Sequence, residues 1–171
     1  MKHRDGYVSN SSSSSFIVAF DKVPETAEEL RKMLFDDDTY HIEVPDYSED
    51  AYSIYDISER VFKDIQEYDE KEVDLTYMPD GFVDCLLTKA INKIYLKRKQ
   101  EYLDQGDFSW DDYLKLMGEI RHLKLDAIEA FFTQSEGKTI LLLNYGDNYG
   151  DCELEHGEIF KKLRHLRFYQ H

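Results

Sequence analysis

Long apolar runs are missing from this chain. None approaches the roughly 18 residues that a membrane span needs, and the opening MKHRDGYVSN has no apolar stretch of the kind a secretion signal carries. Cysteine is almost missing too. The two present, Cys85 and Cys152, make no disulfide framework, so a reducing cytoplasm is the expected compartment. The chain has no P-loop string, no dinucleotide fingerprint, no C-x-x-C pair and no internal repeat. Those absences leave no ready-made nucleotide or redox chemistry.

Basic residues are scarce relative to acids. Lys and Arg total 21 against 36 Asp and Glu, a net charge of −15. The surplus is uneven: residues 21–75 hold 19 acids and 6 bases, whereas residues 76–171 come to −3 and residues 1–20 to +1. A segment that negative repels phosphate backbones, so direct nucleic-acid binding is not expected. A basic protein partner suits it, as does mimicry of a nucleic acid. Within it, Tyr40, Tyr47, Tyr52, Tyr55 and Tyr68 alternate with acids, and Asp36, Asp37 and Asp38 form a triplet. Tyrosine supplies rigid contact area inside a steering field, which marks these residues as candidate partner contacts.

What is present is a globular composition, 42% hydrophobic and 14% aromatic over 171 residues, enough for one domain with a sizeable core. The expected fold is α+β. Three strands, at about 15–20, 138–144 and 165–170, come from the two ends of the chain. The apolar run 139–143 reads as a strand buried on both faces and 16–20 as a buried strand, and the last strand alternates, with Leu166 and Phe168 opposite His165, Arg167, Tyr169 and His171. Each buried strand needs a neighbour for its backbone, so the two ends should pair in one sheet.

The middle reads as helical. Thr26 with Glu29 forms a capping box ahead of Leu30, Met33 and Leu34. Ser53 caps a helix to about Tyr68 with Ile54, Ile57, Val61 and Ile65 on one stripe. A long helix is expected from Pro79 to about Leu103, with Val83, Leu86, Leu87, Ala90 and Ile94 inward. Its Lys89, Lys93 and Lys97 stripe is best explained by pairing with the acidic half. Ser109 and Asp112 open a fourth helix to about Thr133, with Trp110, Tyr113, Met117, Ile120 and Ile128 inward. A short helix over residues 155–163 should precede the last strand.

Two stretches carry candidate chemistry. Ser11, Ser12, Ser13 and Ser14 enter the first strand and present hydroxyls and N–H groups to an anion, although no lysine or arginine sits within the run. The alternative is that these hydroxyls satisfy neighbouring backbone. Asp147, Asp151, Glu155, His156 and Glu158 gather acids and a histidine near Gly146 and Gly150, a candidate divalent-metal set. His165 and His171 cannot both join it. Six residues of strand span about 20 Å, whereas two histidines on one zinc need Cα atoms within roughly 13 Å. As a calcium loop the stretch fits poorly, with Tyr149 and Cys152 where a ligand and a glycine belong. Cys152 as a nucleophile has only His156 as a local base. No cofactor is required by the sequence. The alternative to the metal set is an acidic surface loop.

The run RDGYVSNSSSSSFIV at residues 4–18 resembles the opening of a group of bacterial and phage proteins, in which arginine, a glycine–aromatic pair, V-S-N and a serine run enter a strand. GDNYGD at 146–151 and EHGEIFKKLRHLRFYQH at 155–171 are similar to the endings of some of them. The two ends cover about a quarter of the chain. The resemblance implies kinship and a phage or mobile-element setting, with no activity attached. Such relatives carry serine–histidine near the end, where Tyr169, Gln170 and His171 stand here. The leading expectation is a cytoplasmic, acidic binding protein. The alternatives are a metal-assisted hydrolase or phosphate-ligand enzyme using residues 147–158, and a virion or assembly component.

Overall fold

The computed structural model describes residues 13–36, 52–67, 83, 85, 86, 88–104, 106, 108–146, 154 and 158–170. Three strands and four helices lie within them: β1 (Ser13–Phe20), α1 (Ala27–Leu34), α2 (Ile54–Gln66), α3 (Lys89–Asp104), α4 (Trp110–Gln134), β2 (Thr139–Gly146) and β3 (Arg164–Gln170). The architecture is α+β, and the sheet is built from the two ends of the chain.

The sheet has the order β2-β1-β3, antiparallel at both seams. β1 is therefore the centre, with Ser13 opposite Gly146 on one side and Gln170 on the other. Its apolar run is continuous because both faces are covered. Phe16, Val18 and Phe20 pack with Leu30 and Leu34 of α1 and with Ile54, Ile57, Val61 and Ile65 of α2. Ile17 and Ala19 point the other way, into Ile91 of α3 and Leu116, Ile120 and Phe131 of α4. The core is thus two apolar layers with the sheet between them.

β2 is an edge strand and departs from the expected two-sided burial. Leu141, Leu143 and Tyr145 are buried on the α1–α2 side, while Ile140 and Leu142 are only partly covered. β3 alternates as expected, Leu166 and Phe168 entering the α3–α4 layer. Its outer edge is also used: Leu86 bridges Phe168, and the Tyr169 N–H donates to the Cys85 carbonyl at 2.8 Å.

That bridge changes the third helix. Leu86 is spent on the sheet edge, so no helix runs through it. Thr88 instead caps α3, its Oγ1 accepting from the Ile91 N–H at 3.0 Å and its carbonyl from Asn92 at 3.0 Å. Ala90 and Ile94, expected inward, are exposed, and Ile91 is the buried residue. Pro79 and Leu87 lie outside the described residues. The helix expected at 155–163 does not run through its second half, because Glu158 has φ +49° and residues 159–162 turn, whereas residues 155–157 lie outside the described residues. A left-handed residue cannot sit inside an α-helix. On α4 the inward stripe is Leu116, Ile120, Leu123, Ala127 and Phe131, joined by Ile128; Trp110 and Met117, expected inward, face out. Among the described residues, no helix is long and apolar enough to cross a membrane.

Candidate functional site

Because β1 lies between β2 and β3, the serine run meets both C-terminal strands. Ser14 is fully buried, and its Oγ accepts from Arg167 Nε at 3.1 Å and Nη2 at 2.9 Å. The Arg167 guanidinium stands 5.6 Å above the Phe16 ring and 5.9 Å from that of Tyr169, where cation–π attraction holds a charge on an apolar sheet face. Ser15 points to the other face and donates to Asn144 Oδ1 at 2.6 Å. Ser14 and Ser15 are thus engaged with side chains across the two seams. Ser13 contributes its backbone to both pairings. Ser11 and Ser12 lie outside the described residues.

An aromatic cluster lies beside this seam. Phe160 is 5.2 Å from Phe16 and 6.5 Å from Tyr145, and His165 packs 6.4 Å from Phe16 and 6.3 Å from Phe160. His165 Nδ1 lies 3.0 Å from the Leu163 carbonyl. A carbonyl only accepts, so Nδ1 carries the proton. The Asp64 carboxyl reaches the same layer from α2; burial pushes it up, offset in part by the Arg60 guanidinium and the Tyr145 hydroxyl.

Of the candidate metal set, Asp147, Asp151, Glu155 and His156 lie outside the described residues, as do His171 and Cys152. Glu158 is described. Its carboxylate pairs with Lys89 at the start of α3, and the Lys89 hydrogen bond holds the carboxyl below its ordinary range. Among the described residues, no group of three or more His, Cys, Asp or Glu is placed to hold a metal ion.

Of the candidate partner contacts, Tyr52 and Tyr55 are exposed at the start of α2, and the Arg31 guanidinium stands 5.0 Å over the Tyr55 ring. Asp36 pairs with Lys162 at 2.9 Å. Tyr40, Tyr47, Tyr68, Asp37 and Asp38 lie outside the described residues.

The described acids of this half are largely matched: Glu25 with Lys22 at 2.8 Å, Glu28 with Arg31 at 2.8 Å and Lys32 at 3.2 Å, Asp21 with Lys138 at 2.9 Å, Asp64 with Arg60 at 3.4 Å. Residues 21–36 and 52–67 carry 9 acids and 5 bases, a net of −4. Residues 37–51 and 68–75 carry 10 acids and 1 base, a net of −9. By sequence, most of the acidic surplus therefore lies in the two stretches on either side of α2, which are outside the described residues.

The basic stripe of α3 does not pair with the acidic half among the described residues. Lys89 reaches Glu158, Lys97 reaches Glu101 at 3.8 Å, and Arg98 reaches Glu101 at 3.1 Å and Glu119 of α4 at 3.9 Å.

Sequence reasoning missed the role of Arg167 and the outward stripe of α4. Arg167 carries the signal of a charge alternating with Leu166 and Phe168, which places it opposite the serine face of β1. No family model, curated protein or solved structure matches this chain.

Proposed function

We propose that this chain is a cytoplasmic binding protein that captures a basic protein partner and occludes the partner's nucleic-acid site. The observation that carries the reading is the concentration of acid in the sequence, a net of −9 in residues 37–51 and 68–75. These stretches flank a helix at whose start Tyr52, just before the N-cap, and Tyr55, in the first turn, are exposed. Charge of one sign steers a basic protein in, and aromatic rings supply contact area that costs little side-chain entropy. The acids of α1 and α2 that are matched within the fold contribute little to that field. The likeness of the chain ends to bacterial and phage proteins supports a role in which a phage or mobile element restrains a host protein.

The test is capture from bacterial lysate at low and high salt, followed by competition with duplex DNA. The reading expects a basic protein retained at low salt, released at high salt and displaced by DNA. Retention that ignores salt, or capture of acidic proteins only, contradicts it.

A further inference from the structure

The helices α1 and α2 share one apolar cluster, to which Leu30, Leu34, Ile54 and Ile57 belong. Beside it stand three polar side chains, Glu28 and Arg31 of α1 and Tyr55 of α2. Arg31 Nε donates to Glu28 Oε2 at 2.8 Å and Nη2 donates to Oε1 at 2.9 Å, a two-pronged contact along one helix turn. The same guanidinium stands 5.0 Å over the Tyr55 ring. A carboxylate fork and an aromatic face thus hold one guanidinium between two helices. The Lys32 ammonium meets Oε1 of that carboxylate at 3.2 Å, as a point charge.

Exposure is divided unevenly among the three. The Arg31 side chain is only 12% exposed, whereas that of Glu28 is 53% exposed and Tyr55 is 49% exposed. The groups that hold the guanidinium therefore face solvent, within reach of a group arriving from outside. Presented together, they offer what an arginine meets on a nucleic acid: a pair of anionic oxygens beside the flat face of a ring.

We propose that Glu28 and Tyr55 form a binding site for an arginine side chain of the basic partner, and that Arg31 fills it in the free protein. This rests on the capture reading above and names the partner group that the surface takes. Arg31 is then an internal competitor. The partner's arginine displaces it, one guanidinium for another, so that carboxylate and ring keep an equivalent contact throughout. Arginine is favoured over lysine, because an ammonium neither forks the carboxylate nor lies flat on the ring.

The test is calorimetric binding of oligoarginine and oligolysine peptides of equal length to the full chain at low salt. Arg31→Met and Arg31→Lys each remove the internal guanidinium. Both should raise affinity for oligoarginine about threefold or more, and affinity for oligolysine by less. Arg31→Lys keeps the charge and most of the stem, and so serves if Arg31→Met lowers the thermal midpoint. Lys32→Met takes one positive charge from the same carboxylate and should raise both affinities alike. Tyr55→Leu, added to either Arg31 variant, should abolish the gain for oligoarginine. Wild type that binds both peptides, with neither Arg31 variant shifting the arginine-to-lysine ratio, overturns the site and leaves the capture reading standing. A gain that survives Tyr55→Leu overturns the site as well. Wild type and Arg31 variants that bind neither peptide overturn the capture reading and the site together.

Discussion

Ser14 and Arg167 are tied across the β1–β3 seam by two hydrogen bonds to one buried hydroxyl. Replacing Ser14 with alanine leaves a half-buried guanidinium short of that acceptor. Removing one partner of such a contact costs about 1–3 kcal/mol, so Ser14→Ala should lower the urea midpoint by a corresponding amount without changing the slope. Arg167→Lys should not substitute well, because an ammonium cannot reproduce the fork that holds Ser14. Phe16 lies under the same arginine and against Phe160. Phe16→Ala should cost about 3–5 kcal/mol, read in the same unfolding experiment. Glu28 gives a pH signature. The Arg31 and then the Lys32 hydrogen bonds lower its carboxyl from 4.5 to about 2. A depressed carboxyl stabilises the native state above its unfolded value and loses that contribution as pH falls through the folded one. The stability difference between wild type and Glu28→Gln should therefore be full above pH 4.5 and fade toward pH 2. Exposure and salt screening keep it small. At this scale the sequence was legible where a motif is local. The capping residues Thr26, Ser53 and Ser109 all cap as the pattern indicates. The Ser14–Arg167 contact joins positions 153 apart, and no local signal connects them.

Helix faces show how far periodicity reaches. The stripe of α2, Ile54, Ile57, Val61 and Ile65, is buried throughout, because that helix has a single apolar face. The helix α4 has two, and spacing alone does not say which of them meets the sheet. For that reason the sequence pattern puts Trp110 and Met117 inward, whereas in the structure they face out. The start of α3 differs from expectation because Leu86 fits a helical stripe but is used against the sheet, where it bridges Phe168. A β contact formed across that distance in sequence overrides local propensity. The short helix after residue 154 is indicated by charges alone, and the backbone at Glu158 keeps it from continuing to residue 163. Capping at this scale is testable. Ser109 accepts from the Asp112 N–H, and Asp112 in turn accepts from the Ser109 N–H at 3.2 Å. Ser109→Ala should cost about 1 kcal/mol, seen as a lower thermal midpoint. The Ser109 hydrogen bonds hold the Asp112 carboxyl below its ordinary range, so that loss should be largest at neutral pH and shrink in acid.

At the scale of the molecule, the sheet was the most legible feature. Few segments read as strand, they lie at opposite ends, and their backbone must be satisfied, so β1, β2 and β3 had to meet. The central place of β1 was not legible, since strand order depends on which faces the helices cover. The candidate site was legible only in part. The seam brings the serine run to β2 and β3, and the charge count locates the acidic surplus. How much of that surplus the fold itself neutralises could not be read from counting, because Asp21 finds Lys138 and Asp36 finds Lys162 only through tertiary structure. The functional account therefore rests on residues 37–51 and 68–75 and on the tyrosines at the start of α2. Its most direct test is a salt titration of the affinity for the captured partner, comparing wild type with a variant that carries Asp37→Asn, Asp38→Asn, Asp46→Asn and Asp50→Asn. The account predicts that wild-type affinity falls at least about tenfold as salt shortens the Debye length from roughly 30 Å to below 10 Å. The variant should start weaker and respond less. Equal affinity for the two proteins, with no dependence on salt, would contradict it.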